Sequence, residues 1–312
     1  MSIKCAFIFP GQGSQATGMG KDFFENTDTA KEMFAQAKSR TGIDFEALLF
    51  SENDDLGKTE FTQPAILLIS VIANRVFVEK TGITPVLTLG HSLGEFSALV
   101  ASGALDAIDA VELVNLRGRL MSDACANQEV GMLVCLGLDD ATVEDICHKQ
   151  RESGKRVWAV NYNSDGQIVI AGIKKDLEAL VDVLKEAKAK RAMLLNMSVA
   201  SHCPLLDSAT APLGEKLQEV IKENFTSPVI SNVTAKPYNS KAEALELLPK
   251  QLVMPVLYKQ SIKNIDNEVD AYIEFGHGKV LAGLNKSSAT KPTFNVFDMA
   301  SLEATIEALK EL

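Results

Sequence analysis

The chain has 312 residues, 46% of them apolar and 23% charged, which is enough to bury a sizeable core in one large or two modest domains. A net charge of -10 argues against sequence-independent binding of nucleic acid, which needs a basic surface, so we expect no nucleic-acid partner. Five scattered cysteines without a CxxC pair indicate neither disulfides nor a metal site, and no cationic segment precedes a long apolar run at the start, so we expect a cytoplasmic protein with no membrane partner.

The N-terminal third predicts an alternation of strands and helices. Short apolar stretches indicate buried strands, while helices are indicated by amphipathic spacing, by Pro64 in a first turn and by Gly103 after a last turn. The predicted elements are strand Ile3 to Phe9, helix 21–40, helix Gln63 to Lys80, strand Pro85 to Leu89, helix Glu95 to Ser102 and helix Ala107 to Ala124. This alternation is typical of an α/β fold with a parallel sheet.

A different order of elements begins near residue 128. It reads βαββαβ, which is the ferredoxin-like pattern. Its members are strand Gly131 to Gly137, helix Ala141 to Ser153, strands Arg156 to Asn161 and Gln167 to Ala171, helix 175–190 and strand Met193 to Met197. Because α/β elements resume with strands Val229 to Val233 and Ala271 to Phe275, we predict a ferredoxin-like subdomain at 128–196, inserted into an α/β core of 1–127 and 197–312.

The sequence GHSLG at 90–94 matches the GxSxG pattern, whose glycines permit a strained strand-to-helix turn that exposes a serine hydroxyl above a sheet. A predicted strand precedes Ser92 and a predicted helix follows it, which is the context that the motif requires. The turn also offers the backbone N–H of Leu93 to a developing oxyanion. Ser92 is therefore the candidate nucleophile, and the alternative is an ordinary glycine-flanked turn.

A serine hydroxyl needs a base, and the chain has only four histidines: His91, His148, His202 and His277. His91 adjoins Ser92 on a tight turn and should point elsewhere, and His148 lies in a charged, solvated helical run. His202 and His277 both follow predicted strands, where catalytic groups are expected. The chain order of an ordinary α/β-hydrolase would favour His277, with Asp266 or Asp270 as the orienting acid. The residues alone leave both histidines open.

A glycine-rich loop, FPGQGSQATG at 9–18, follows the first strand. Its GxGxxA spacing is a weak dinucleotide signal, because no second strand ending in an acidic residue follows, and Gln15 excludes a Walker loop. The loop is either a plain tight turn or an anion-binding turn. If it faces the serine, the backbone N–H of Gln12 supplies a second oxyanion donor.

Arg117 lies on the apolar face of its predicted helix, with Leu113 and Met121 at helical spacing, whereas Arg119 lies on the solvated face. A buried guanidinium requires an anion, because an unpaired buried charge costs several kcal/mol. The partner is either a carboxylate of the chain itself or a carboxylate on the substrate, which a guanidinium binds through two parallel hydrogen bonds.

Blocks of sequence spread in order along nearly the full chain closely resemble malonyl-CoA:acyl carrier protein transacylases. They are FPGQGSQ (9–15), TQPA (62–65), GHSLGE (90–95), Arg117-Gly118, NYNSDGQIVIAG (161–172), SVASHCPLL (198–206), QLVMPV (251–256) and EFGHGKVLAGL (274–284). The resemblance implies a hydrolase-like core with a parallel sheet and a ferredoxin-like insertion. It implies transfer of malonyl from malonyl-CoA to the phosphopantetheine thiol of an acyl carrier protein, without a cofactor, in fatty acid biosynthesis.

Carried over position by position, the resemblance implies Ser92 as nucleophile and His202 as base. It further implies backbone oxyanion donors at Gln12 and Leu93, and binding of the malonyl carboxylate by Arg117. Two more residues complete the implied site: Gln251, which orients the imidazole through a backbone carbonyl in place of a triad acid, and Asn163 beside the substrate.

The chain departs from the family pattern at two places: His277 replaces a usual proline, and Leu257-Tyr258 replaces a usual Arg-Trp. The first keeps open an alternative function, a serine esterase or thioesterase that pairs Ser92 with His277. A catalytically silent docking module is a second alternative, which the presence of Ser92 and His202 disfavours.

Malonyl-CoA and an acyl carrier protein are the expected partners, and we expect a monomer. Because acyl carrier proteins and this chain are both acidic, docking should need a local basic patch. Lys185, Lys188, Lys190 and Arg191 form one candidate patch, and Lys259, Lys263, Lys279 and Lys286 form the other.

Overall fold

The computed structural model describes residues 3–312. The strands are β1 (Cys5–Phe9), β2 (Leu87–Gly90), β3 (Val130–Leu136), β4 (Val157–Ser164), β5 (Gln167–Ile173), β6 (Arg191–Leu194), β7 (Val229–Ile230), β8 (Pro237–Tyr238), β9 (Ala271–Phe275) and β10 (Thr293–Val296). The α-helices are α1 (Lys21–Asn26), α2 (Asp28–Thr41), α3 (Phe45–Phe50), α4 (Thr59–Thr81), α5 (Gly94–Ala101), α6 (Ala107–Cys125), α7 (Asp140–Glu152), α8 (Lys174–Glu186), α9 (Asp207–Val220), α10 (Lys241–Gln251), α11 (Tyr258–Ile265), α12 (Val280–Asn285) and α13 (Met299–Leu309). Short 3₁₀ turns lie at Asp55–Gly57 and Pro204–Leu206.

The larger sheet has the strand order β10-β9-β1-β2-β7-β8 and is parallel except for the last pair. Its central strand β1 has the sequence CAFIF, and all five residues are buried. A continuous apolar run is what a strand covered by helices on both faces requires. Because parallel strands end at the same edge, the segments after β1, β2 and β7 meet at that edge.

The smaller sheet is antiparallel and has the order β4-β5-β3-β6. With α7 and α8 it completes the βαββαβ unit, so the predicted fold class, a parallel-sheet core with a ferredoxin-like insertion, is confirmed. The boundaries at 128 and 196 stay a prediction. The backbone of Val256 in the core pairs with β4, through hydrogen bonds with Val160 (2.8 Å) and Tyr162 (2.9 Å).

Helices α4 and α6 pack closely, and their sequences explain how. Pro64 inside α4 has no N–H for the carbonyl of Glu60, and the side chain of Asn115 on α6 donates to that carbonyl instead, at 2.8 Å. A Cβ on Gly118 would lie 2.6 Å from Cα of Glu60, so only glycine allows this approach. By length and composition α4 could cross a membrane, yet 83% of its apolar stretch is buried inside the protein, as in a core helix.

Several predicted elements have other bounds in the structure; for example, the strand predicted at Val229 to Val233 ends at Ile230 and the helix predicted at 175–190 ends at Glu186. Three further differences have a visible physical reason or bear on the site. The helix predicted at 21–40 is broken at Thr27, which has an extended backbone. Its hydroxyl oxygen accepts from the backbone N–H of Ala30, so Thr27 caps the start of a new helix. Helix α4 begins at Thr59, before the predicted Gln63, because Asn115 compensates for the proline. Strand β6 ends at Leu194, so Leu195 and Met197 leave the sheet and line a cavity.

Candidate active site

A tight turn between β2 and α5 presents Ser92 at the edge of the larger sheet. Ser92 has a φ of 53°, a left-handed conformation that a non-glycine residue adopts only when its surroundings enforce it. A Cβ on Gly90 would lie 1.9 Å from the carbonyl carbon of Gly94, and a Cβ on Gly94 would lie 2.0 Å from the carbonyl oxygen of Phe9. Both glycines are therefore required for the turn to close against β1.

His202 is the imidazole that contacts Ser92. Its Nε2 lies 2.7 Å from Oγ of Ser92, and its Nδ1 lies 2.6 Å from the backbone oxygen of Gln251. A carbonyl oxygen only accepts hydrogen bonds, so this contact assigns the proton to Nδ1 and leaves Nε2 free to accept from the serine hydroxyl. Burial, and secondarily the positive charge of Arg117, lower the pKa of His202 to about 3, so the imidazole is neutral at physiological pH.

Arg117 is 1% exposed and reaches the same serine. Its Nη2 donates to Oγ of Ser92 at 3.2 Å and to Oε1 of Gln251 at 2.9 Å, and its Nη1 donates to Oε1 of Gln63 at 2.8 Å. Its Nε has no partner, and no carboxylate of residues 3–312 forms a salt bridge with it. Burial lowers the pKa of Arg117 to about 10, partly offset by the charge of Glu95, so the guanidinium stays charged at neutral pH.

The loop after β1 lies directly against the serine turn. A Cβ on Gly11 would lie 2.4 Å from the backbone oxygen of His91, so the glycine permits the contact. Gln12 and Leu93 line the same cavity as Ser92, and within the described chain their backbone N–H groups make no hydrogen bond. Two backbone donors are thus available beside the serine hydroxyl.

A cavity of about 220 Å³ opens over Ser92. Core residues form one side of it, residues of β3 to β5 form the other, and α12 contributes Val280, Leu281 and Leu284. Asn163 on β4 faces this cavity, and its Oδ1 lies 2.7 Å from Nε2 of His91. His91 therefore forms its hydrogen bond with the smaller sheet, and among the described residues none joins its side chain to Ser92.

The second histidine candidate does not contact the serine. His277 packs edge-on against Phe297, with ring centroids 6.4 Å apart. Asp266 accepts from Tyr272 and Thr290, and Asp270 accepts from the backbone N–H of Lys4, so neither acid orients His277 through a hydrogen bond. The arrangement brings together Ser92, His202 and Arg117, with Gln251 behind them.

Comparison with known proteins identifies the family of the chain. The acyl transferase domain family matches residues 6–300. The malonyl CoA-acyl carrier protein transacylase of Bacillus subtilis is 41% identical over 311 residues, which cover 99% of this chain and 98% of that one. The Escherichia coli K12 protein of the same name is 41% identical over 283 residues, covering 90% and 91%. The chain belongs to the malonyl-CoA:acyl carrier protein transacylases. The resemblance seen in the sequence blocks is confirmed.

Solved transacylases share the whole fold. The malonyl-CoA:acyl carrier protein transacylase of Helicobacter pylori superposes with a TM-score of 0.96, at 44% identity and 99% coverage of both chains. A malonyl-transacylase solved in complex with a type II PKS acyl-carrier protein superposes with a TM-score of 0.93, at 39% identity, covering 99% of this chain and all of that one. Both parts of the fold, the core with the parallel sheet and the small antiparallel sheet, are therefore those of this enzyme family.

Sequence reasoning assigned no role to three buried residues of the site. Gln63 accepts from Arg117, Glu95 accepts from the side chain of Gln251, and Oδ1 of Asn232 accepts from the backbone N–H of Ser92 at 2.7 Å. Gln63 and Glu95 lie inside sequence blocks that were recognised. Asn232 follows directly after β7, at the strand edge where the serine lies, and that position was the signal available for it.

The two predicted basic patches differ in how many of their cations are exposed and, within residues 3–312, free of salt bridges. Lys259 is wrong as a member of an exposed patch, because it is 7% exposed and forms salt bridges with Asp140 and Asp165. Lys263 also pairs with Asp165. Lys279 and Lys286 are exposed just before and just after α12, and Lys188, Lys190 and Arg191 are exposed at the other patch.

Proposed function

We propose that this enzyme transfers malonyl from malonyl-CoA to the phosphopantetheine thiol of an acyl carrier protein through an ester on Ser92. The coarse function follows from the family, and the roles of individual residues are our proposal. One observation carries it: a buried guanidinium, bound by neutral amide oxygens and by no carboxylate of residues 3–312, contacts the same oxygen as a neutral imidazole.

In the first step His202 acts as the general base. Nε2 takes the proton of Ser92 as Oγ attacks the thioester carbonyl, and the imidazolium then gives that proton to the departing thiolate of coenzyme A. The hydrogen bond from Nδ1 to the backbone oxygen of Gln251 keeps the ring in the correct tautomer, at 2.6 Å. No triad carboxylate is needed in this role, because a carbonyl oxygen fixes the same proton.

Two sets of donors stabilise charge in that step. The backbone N–H groups of Gln12 and Leu93 are proposed to bind the oxyanion, a contribution of roughly 100- to 1000-fold in rate for each donor in other enzymes. Arg117 is proposed to bind the malonyl carboxylate, which lies one methylene beyond the carbonyl that is bonded to Ser92. The 3.2 Å between its Nη2 and Oγ of Ser92 is a separation that a malonyl ester spans.

In the second step the chemistry runs in reverse with a new thiol. The phosphopantetheine thiol gives its proton to His202 and attacks the ester carbonyl, and Ser92 leaves with a proton from the imidazolium. Asn163 is proposed to bind the incoming phosphopantetheine arm, because Oδ1 is occupied by His91 and Nδ2 remains available as a donor towards the cavity. A carrier protein is proposed to dock through Lys279 and Lys286, which flank α12, or through the patch that contains Arg191.

The test is the intact mass of the protein after incubation with malonyl-CoA alone. Wild type should gain one malonyl group, and Ser92→Ala should gain none. Addition of a pantetheine thiol should then remove the adduct. Steady release of coenzyme A and free malonate, with no adduct before the thiol is added, would instead make hydrolysis the reaction.

A further inference from the structure

A buried carboxylate lies directly beneath the serine turn, and the proposed mechanism does not use it. Glu95 is in the first turn of α5 and is 1% exposed. Its Oε2 accepts from Nε2 of Gln251 at 2.7 Å and from the backbone N–H of Asn232 at 3.2 Å, and its Oε1 accepts from the hydroxyl of Tyr238 at 3.1 Å. All three donors are neutral, so this carboxylate is bound as a hydrogen-bond acceptor.

The first of those donors belongs to the residue that joins the two proposed catalytic groups. Gln251 offers its backbone oxygen to His202 at 2.6 Å and its Oε1 to Arg117 at 2.9 Å. Its Nε2 donates to Glu95 at 2.7 Å and to the backbone oxygen of Ser92 at 3.1 Å. If this amide turned over, its oxygen would face a carboxylate and a carbonyl, and its NH₂ group would face the guanidinium.

The second donor supports the turn itself. Asn232 accepts from the backbone N–H of Ser92 at 2.7 Å and donates from Nδ2 to the backbone oxygen of Gly90 at 2.6 Å. It therefore spans the strained turn on both sides of the serine. Glu95 fixes the backbone N–H of this asparagine, so one carboxylate contacts both residues that set the geometry of Ser92.

We propose that Glu95 is a positioning residue: by accepting from Gln251 and Asn232 it fixes the acceptors of His202 and Arg117 and the turn that carries Ser92. The role rests on hydrogen-bond acceptance and does not need the negative charge. It deepens the proposed function, on which it rests, by naming the group that keeps the amide oxygen of Gln251, rather than its NH₂ group, against the guanidinium.

Three substitutions of Glu95 separate acceptance from charge. Glu95→Gln can keep all three contacts, because its amide oxygen accepts from Gln251 and Asn232 while its NH₂ group donates to the Tyr238 hydroxyl. Glu95→Met keeps the length and removes the acceptors. Glu95→Asp keeps the charge but is one methylene too short to reach Gln251, and it serves if the methionine variant does not fold. Tyr238→Phe is the matched control, since it removes one hydrogen bond of Glu95 without touching Gln251.

The first readout is the rate at which phenylmethanesulfonyl fluoride modifies Ser92, because this neutral reagent reports on the Ser92–His202 pair without any malonyl group. Glu95→Gln should stay within about threefold of wild type, the effect of one altered hydrogen bond. Glu95→Met and Glu95→Asp should be slower by about 10- to 100-fold, as expected when reacting groups are displaced by a fraction of an ångström. Tyr238→Phe should lower the melting temperature and leave the rate unchanged.

The second readout is the ratio of malonyl to acetyl adduct formed on Ser92, which should fall in Glu95→Met because Arg117 loses a fixed acceptor. The proposal is overturned if Glu95→Gln is as slow as Glu95→Met, if Glu95→Met and Glu95→Asp react like wild type, or if Tyr238→Phe is as slow as Glu95→Met. A wild type that reacts with the sulfonyl fluoride but not with malonyl-CoA would refute the proposed function and leave the Glu95 comparison intact.

Discussion

Replacement of Arg117 by alanine is the substitution whose effect the structure predicts most sharply. The guanidinium contacts Ser92 as well as the proposed position of the malonyl carboxylate. Loss of the contact with Ser92 should therefore slow transfer from every acyl donor. Loss of the contact with the carboxylate should slow malonyl transfer further. The ratio of malonyl to acetyl transfer cancels the first effect and isolates the second.

The size of that second effect follows from the contacts. Each hydrogen bond between charged groups contributes about 1.5 to 3 kcal/mol. Two parallel hydrogen bonds from the guanidinium contribute less than twice that, because they replace hydrogen bonds that the carboxylate would otherwise make with water. A net loss of about 2 to 4 kcal/mol corresponds to about 30- to 1000-fold in kcat/KM for malonyl-CoA relative to acetyl-CoA. Acetyl transfer is spared this part, because the acetyl group has no carboxylate and leaves the guanidinium unpaired.

The assay measures kcat/KM for both donors with one thiol acceptor, in wild type, Arg117→Ala and Arg119→Ala. Arg119 lies two residues further along the same helix and is exposed, so its loss controls for a general effect of removing a cation from α6. The ratio should fall only in Arg117→Ala. An unchanged ratio in that variant, with both donors slowed equally, would refute carboxylate binding and leave Arg117 as a partner of Ser92 alone.

Three further outcomes are expected. Lys259→Met should lower the free energy of unfolding by about 1 to 3 kcal/mol, because a buried cation between Asp140 and Asp165 is lost. Lys263→Met removes an exposed cation of the same cluster and should lower it by less than about 1 kcal/mol. Equal losses for the two variants in urea unfolding would contradict this difference. His91→Phe should raise KM for malonyl-CoA by about 5- to 10-fold with little change in kcat, because the Asn163 amide loses its hydrogen-bond partner at 2.7 Å. A fall in kcat with KM unchanged would argue against substrate binding by Asn163. Burial raises the pKa of Glu95 from its usual 4.5 to about 7, so the stability that its protonated form contributes is complete below pH 4.5 and is lost as the pH rises through 7. The melting temperature of wild type should therefore fall relative to that of Glu95→Gln between pH 4.5 and pH 7. A constant difference between the two melting temperatures would contradict the raised pKa.

Much of the fold could be read from local sequence because the signals were local. The apolar run of β1 and the GxSxG turn each lie within a few residues, the βαββαβ order lies within one continuous stretch of chain, and the structure has all three. The start of α4 could not be read in this way. Its proline is tolerated because Asn115, far along the chain, donates to the carbonyl that Pro64 leaves free, and no pattern within α4 reveals that partner.

The site divides along the same line. Ser92 and Arg117 carry their own signals, a strained turn and a charge on an apolar face, and the structure places their side chains in contact. The choice between His202 and His277 needed the family resemblance, because both follow predicted strands and only the folded chain brings one of them to Oγ. Glu95 and Asn232 act on backbone and amide groups through contacts more than a hundred residues apart, which periodicity and spacing do not encode.

The most direct test of the central claim is the fate of the isolated malonyl-enzyme. The adduct is freed of malonyl-CoA and divided between buffer, buffer with the holo form of an acyl carrier protein, and buffer with the apo form, and the loss of adduct mass is followed in time. Transfer through Ser92 predicts rapid discharge to the holo-protein, with malonyl gained by the carrier, and slow discharge in the other two samples. Equal rates in all three, with free malonate as the product, would contradict it.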